Sequence, residues 1–150
     1  MKFHYRYEAY IIESELLLRT LGYLSSGKTG ARMAKAAAFF PFVFVRNGEC
    51  VTPVFINHER IHHRQQIETL LIGSWILGIF EALYSGLFLK LDAENRYLYR
   101  ATEQEAYRNQ EDLTYLSQRQ MFSFTLYLKD KRKLSFVGDK SPAVLVGEKY

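Results

Sequence analysis

A single cysteine, Cys50, stands in the 150-residue sequence, and that scarcity removes two devices at once: an intrachain disulfide and a zinc module built on thiolates. Three prolines and nine glycines are too few for a collagenous or low-complexity chain, and no segment repeats. Charge of one sign is scarce as well. Twenty Lys and Arg face sixteen Asp and Glu, a net charge of +4, and the signs alternate freely except in the short run Lys129 to Lys133. A run that short reads as the end of a solvated element, so no nucleic-acid partner is expected. Residues 1–15 are charged throughout and lack an apolar core, so no secretory signal peptide is read there; the expected location is cytoplasmic or membrane-associated.

Apolar mass is plentiful. Hydrophobic residues make up 48% of the chain, enough for a core in one domain spanning 1–150, and aromatic residues reach 15%. Tyrosine and phenylalanine at that density suit a core, a groove or a membrane interface. Residues 67–91, "IETLLIGSWILGIFEALYSGLFLKL", are long enough to span a bilayer. Glu68 and Glu81 interrupt them, and a carboxylate at mid-membrane is costly. A buried core helix or helical hairpin is therefore expected, with membrane contact through 67–91 as the alternative.

Periodicity predicts an α+β, mostly helical chain. Phe3, Tyr5 and Tyr7 alternate with polar residues as in a strand, whereas Tyr10 to Leu24 fit a helical face. "ARMAKAAAFF" reads as an Ala-rich helix ended by Pro41, and Phe42 to Val45 as a strand followed by an Asn47-Gly48 hairpin turn. Thr52-Pro53 predicts an N-cap and first helical residue, opening a helix that must break near Gly73 or Gly78. Arg100 to Gln120 predicts a further helix, Met121 to Leu128 a strand or its continuation, and the C-terminus two short strands around Gly138 to Pro142.

Two motifs compete for the chemistry. Gly22 to Thr29 satisfies G-x-x-x-x-G-K-T, yet a phosphate loop needs a strand before its first glycine, and the residues there read as helix. An ordinary Gly-Ser-Lys turn is the better reading, and nucleotide binding is the weakest of the functions considered. His58-Glu59-Arg60-Ile61-His62 is an H-E-x-x-H. Histidines at i and i+4 share one helix face, here with Gln65 and Thr69, while Arg60, Arg64 and Glu68 fall on the far side, where solvent is expected. The histidines should thus point inward, either as zinc ligands or as a buried hydrogen-bonded pair; His63 points away. A third ligand must come from elsewhere. On the later helix Glu103 shares a face with Ala106, Tyr107 and Gln110 and can pack inward, while Glu105 aligns with Asn109 and Asp112, which look solvated; Glu103 is the choice, Glu105 the alternative.

"HERIH" followed by "ATEQEAY" resembles the gluzincin metallopeptidases, in which H-E-x-x-H on one helix is completed by a glutamate on a later one, often as E-x-x-A. The segment "NHERIHHRQQIE" is also similar to small bacterial proteins that carry N-H-E-R-I-H-x-x-Q-Q, a hydrophobic segment and a Glu-Ala-Tyr element, a likeness that supplies no activity. The gluzincin resemblance implies a minimal zincin-like fold with its core in 53–117, zinc held by His58, His62 and Glu103, Glu59 as general base, and a peptide or protein substrate. One departure stands out: membrane-associated gluzincins commonly place an aspartate where this chain has Tyr107, which leaves the support of a ligand histidine open. The reading from another class is a non-catalytic, membrane-associated or interaction module whose inward histidines are structural.

Overall fold

Alternating side chains make the N-terminal strands in the computed structural model, which describes residues 2–20, 35–49, 51–136 and 143–149. β1 (Lys2–Arg6) and β2 (Ala9–Glu13) pair antiparallel through Tyr7 and Glu8, both at positive φ, the backbone that a two-residue hairpin turn requires. β3 (Ala36–Phe39) and β4 (Phe42–Val45) pair antiparallel, and β4 lies parallel to β2, giving a mixed sheet in the order β1-β2-β4-β3. Period-two alternation sends Ala9, Ile11, Val43 and Val45 to one buried face. Phe3, Tyr5 and Tyr10 remain exposed on the other, their rings in contact.

Helix α1 opens at residue 15 and is described through 20. Helix α2 (Pro53–Glu68) begins as expected: Thr52 is the N-cap, its hydroxyl accepting from the Phe55 N–H at 3.1 Å, with proline in the first turn. Ile56, 1% exposed, plugs the buried face of the sheet. Residues 69–72 then turn the chain through an elbow of 103° into α3 (Gly73–Leu87). Among the described residues no single helix is long and apolar enough to cross a membrane. α4 (Ala93–Tyr99) and α5 (Ala101–Asn109) meet at Arg100, and the Glu81 carboxylate of α3 accepts from the Ala101 N–H at 2.9 Å, placing a negative charge at the start of α5. A short α6 (Tyr115–Gln118), a 3-10 turn (Ser123–Leu128) and the antiparallel pair β5 (Arg132–Phe136) and β6 (Ala143–Lys149) complete the described chain. The fold is α+β and mostly helical, with a small mixed sheet.

Five local expectations are corrected. The predicted helix from Tyr10 starts only at residue 15, because β2 continues to Glu13 to pair with both β1 and β4. Ala36 to Phe39 form a strand despite their helix propensity, since β4 offers an edge and alanines let α2 come close; tertiary pairing overrides propensity. Gln66 of α2 then covers that edge, donating to Ala38 O and accepting from Phe40 N–H, both at 2.8 Å. The partner of β4 thus precedes it, and Asn47-Gly48, with Gly48 at φ +78°, turns the chain toward α2 rather than into a hairpin. The stretch 100–120 is broken after Asn109, and 121–128 is neither strand nor α-helix. Gly22 to Thr29, Cys50 and the Gly138 to Pro142 turn lie outside the described residues.

Truncating Ile56 to alanine should leave a void between α2 and the sheet and lower unfolding stability by about 2 to 5 kcal/mol, read from urea titration against the wild type.

Candidate metal centre

The 3.6-residue period of α2 brings Asn57, His58, His62 and Gln65 toward α5, whose Ala106 is fully buried and admits close approach. Amide side chains fix the two helices. Asn57 Nδ2 donates to the carbonyls of Gln110 (2.9 Å) and Asp112 (3.0 Å), satisfying groups at the C-terminal end of α5. Gln65 Nε2 donates to Thr102 O (3.0 Å) and Glu105 Oε2 (2.8 Å) nearer its start.

Between those ties His58, His62 and Glu103 converge, as the sequence predicts. The two Nε2 atoms are 3.1 Å apart, and Glu103 Oε2 lies 3.7 Å from His58 Nε2 and 3.5 Å from His62 Nε2. Each ring turns its other nitrogen to a glutamine oxygen: His58 Nδ1 to Gln110 Oε1 at 3.1 Å, His62 Nδ1 to Gln65 Oε1 at 2.7 Å. The donations of Gln65 Nε2 fix which end of that amide is the oxygen, so His62 Nδ1 must carry the proton it donates. His58 is held alike, and both Nε2 lone pairs then face one point. Glu103 Oε2 faces it too, buried and without a hydrogen-bond partner. Two lone pairs and an anionic oxygen crowded together need a cation between them, and this cluster could hold a metal ion.

The protonation of the metal-free centre follows the same logic. Burial, then the neighbouring His62, lowers His58 to about 4. Burial opposes charge on His62 as well, but the Glu103 carboxylate, joined by Glu59 and the Gln65 amide, outweighs it and raises His62 to about 9. Burial would raise Glu103; the two histidines and Arg100 overcome it and bring the carboxyl down to about 2. A proton on His62 is thus the cation that the centre holds when no metal does. Glu59 is buried beside it, and desolvation raises its carboxyl to about 7, against the opposing pull of His62 and the Ala38 N–H that hydrogen-bonds to it.

Sequence reasoning missed several supporting groups. The Tyr97 hydroxyl hydrogen-bonds Glu103, and the Tyr107 ring sits on His58 with centroids 4.4 Å apart. With eleven tyrosines in the chain, only the fold could single out these two. Gln65 and Gln110 were on the right faces of their helices, but nothing in the pattern marks an amide as the partner of a histidine. His63 indeed points elsewhere, to Phe42 O at 3.0 Å.

Two acids assigned to solvent are corrected. Glu105 is fully buried: its Oε1 accepts from the Tyr115 hydroxyl (2.8 Å) and from Arg119 Nε (2.6 Å). Glu68, expected on the charged outer stripe, pairs with the same guanidinium and accepts from the Phe122 N–H at 3.0 Å. Arg119, 51 residues beyond Glu68, is what the helical wheel could not supply. Neither acid reaches the cluster, which leaves Glu103 as the carboxylate there. No family model, curated protein or solved structure matches the chain.

Replacing Arg119 with methionine strands two carboxylates against each other and should cost about 3 to 5 kcal/mol of stability, measurable by chemical denaturation; Glu105→Gln in the same chain should restore part of that loss.

Proposed function

We propose that the centre binds zinc and that the protein is a zinc-dependent hydrolase of the gluzincin type, cleaving a peptide or similar amide. The separations of the three converging atoms carry this reading. Zinc bonds of about 2.0 to 2.1 Å in a tetrahedron set ligand atoms about 3.3 to 3.4 Å apart. The separations here, 3.1, 3.5 and 3.7 Å, bracket that spacing. Two imidazoles and one carboxylate are also the donor set of catalytic zinc, which keeps a fourth position open.

When bound, zinc would polarise a carbonyl and lower the pKa of a coordinated water to about 7. Glu59 supplies the matching base. Buried next to the histidines in the same helix, it is the carboxylate that would accept a proton from a water and return it to the departing amine. Gln110 and Gln65 keep Nε2 of each histidine turned inward, the task that an aspartate performs in the related enzymes. Tyr97, which hydrogen-bonds Glu103, and Tyr107, packed on His58, are the phenols at the centre from which an oxyanion donor would come. His62 is the most exposed of the three, its side chain 14% exposed against 8% for His58 and 9% for Glu103, so a substrate would approach from its side.

Metal content of protein purified without a metal-affinity step tests the reading. About one zinc per chain is expected, lost in His58→Ala and in Glu103→Ala. Glu59→Gln should keep the zinc and the fold while peptide turnover falls by about a hundredfold or more. Failure to take up zinc even after incubation with it would leave the histidines as a proton-bridged structural pair and remove the hydrolase proposal.

A further inference from the structure

Helix α3 is built inside out. Its polar side chains Ser74, Glu81 and Ser85 are buried, Glu81 paired with Lys131, and at Gly78 and Gly86 the stems of Arg100 and Arg96 lie against the helix where a side chain would stand. Its outward stripe is Ile76, Ile79, Phe80, Leu83 and Leu87, spaced as one helical face and 48 to 71% exposed. The expectation of a buried core helix is therefore corrected on this side: the apolar run buries its few polar groups and shows its hydrocarbon. Among residues 70–89 no charged side chain is exposed.

The turn before α3 extends the same surface. Leu70 and Leu71 both sit at positive φ, 54° and 68°, a conformation unfavourable for leucine, and Leu70 is 84% exposed. Strain that projects an aliphatic side chain outward needs an apolar environment outside to repay it. Beside the turn, Phe122 bonds Glu68 through its N–H, and Met121 and Phe122 add a second exposed apolar ridge.

Composition decides between possible occupants. Protein partners are anchored by Trp, Tyr and Arg within a hydrogen-bonding rim, and leucine is under-represented in such anchors. The exposed side chains of this face are Ile, Leu, Phe and Met with one tyrosine, Tyr84, 51% exposed at the edge of the stripe, a residue that suits the headgroup level of a bilayer, where its ring meets hydrocarbon and its hydroxyl meets water. Exposed cations, Arg64 and Lys90, flank the apolar stretch, and the chain carries net positive charge. At about 22 Å long α3 is too short to cross the hydrocarbon core, and the 103° elbow prevents α2 from extending it.

We propose that α3 and the turn before it lie in the headgroup–acyl boundary of an anionic lipid bilayer, with the helix parallel to the surface. This stands independently of the metal.

Flotation of the full chain with vesicles of phosphatidylethanolamine and phosphatidylglycerol tests it. The wild type rises with the vesicles. The variant Ile79→Gln/Phe80→Gln/Leu83→Gln/Leu87→Gln, altered only at exposed positions, partitions at least about a hundredfold more weakly with an unchanged circular dichroism spectrum. Phe3→Ser/Tyr5→Ser, which removes exposed aromatics from the sheet instead, floats like the wild type. The unmodified chain supplies a second readout, because its one tryptophan, Trp75, lies on α3: brominated acyl chains quench its emission. A wild type that stays at the bottom of the gradient and is not quenched overturns the proposal. So does equal flotation of the α3 variant, or a wild-type dimer that the variant dissociates while neither binds vesicles, which would make the occupant a second copy.

Discussion

One side-chain amide, that of Gln65, is the constraint on which the centre depends. Its oxygen holds His62, and its nitrogen holds both the Thr102 carbonyl and the Glu105 carboxylate. Helix spacing, ring orientation and the position of a buried anion are therefore set by one group with no freedom left over. An amide suits this place because it offers donor and acceptor at once without adding charge. A glutamate there would place a third carboxylate beside Glu103 and Glu105; a leucine would leave Glu105 and a backbone carbonyl short of donors in a dry interface.

Buried acids recur along α2, α3 and α5, and all but Glu59 are answered by a cation from another element. Glu103 has the histidines, Glu105 and Glu68 share Arg119, and Glu81 holds Lys131 and the start of α5. Such pairs add little net stability compared with well-packed hydrocarbon, because desolvation cancels much of their attraction. Their effect is to forbid alternatives: a shift of α5 along α2 would strand several charges at once. A chain whose longest apolar segment turns its hydrocarbon outward relies on these polar ties, more than on a large core, to place its helices.

The His58, His62 and Glu103 cluster was legible because it rests on local periodicity. Histidines four apart, an inward Glu103 and a small Ala106 can all be read from a helical wheel, and the cap at Thr52-Pro53 fixes where that helix begins. What could not be read depends on long-range partners. Ala36 to Phe39 look helical until β4 is known to need an edge. Glu68 and Glu105 look solvated until Arg119 arrives. The resemblance to N-H-E-R-I-H-x-x-Q-Q proteins points at a string of residues whose individual tasks only the fold separates: Asn57 ends α5, Gln65 orients His62, Gln66 covers the edge of β3.

The elbow after α2 joins the two proposed activities, one resting on α2 and α5 and the other on α3 and the turn before it. Glu68 ends α2 six residues after His62, a rise of about 9 Å, and the apolar turn begins immediately beyond it. Arg119 clamps Glu68 to Glu105, and Glu105 is tied through Gln65 back to His62, so turn and centre cannot move apart without breaking buried ion pairs. With α3 resting on a bilayer, the His62 side of the centre stands at a fixed height of about 10 Å from the turn. On the two proposals together, a rigid centre at that height would favour substrates held at or just above the headgroups, because a bond buried in the hydrocarbon would lie below its reach. The elbow would then act as a spacer, and lengthening α2 by a turn would change which bond is reached without altering the chemistry that cuts it.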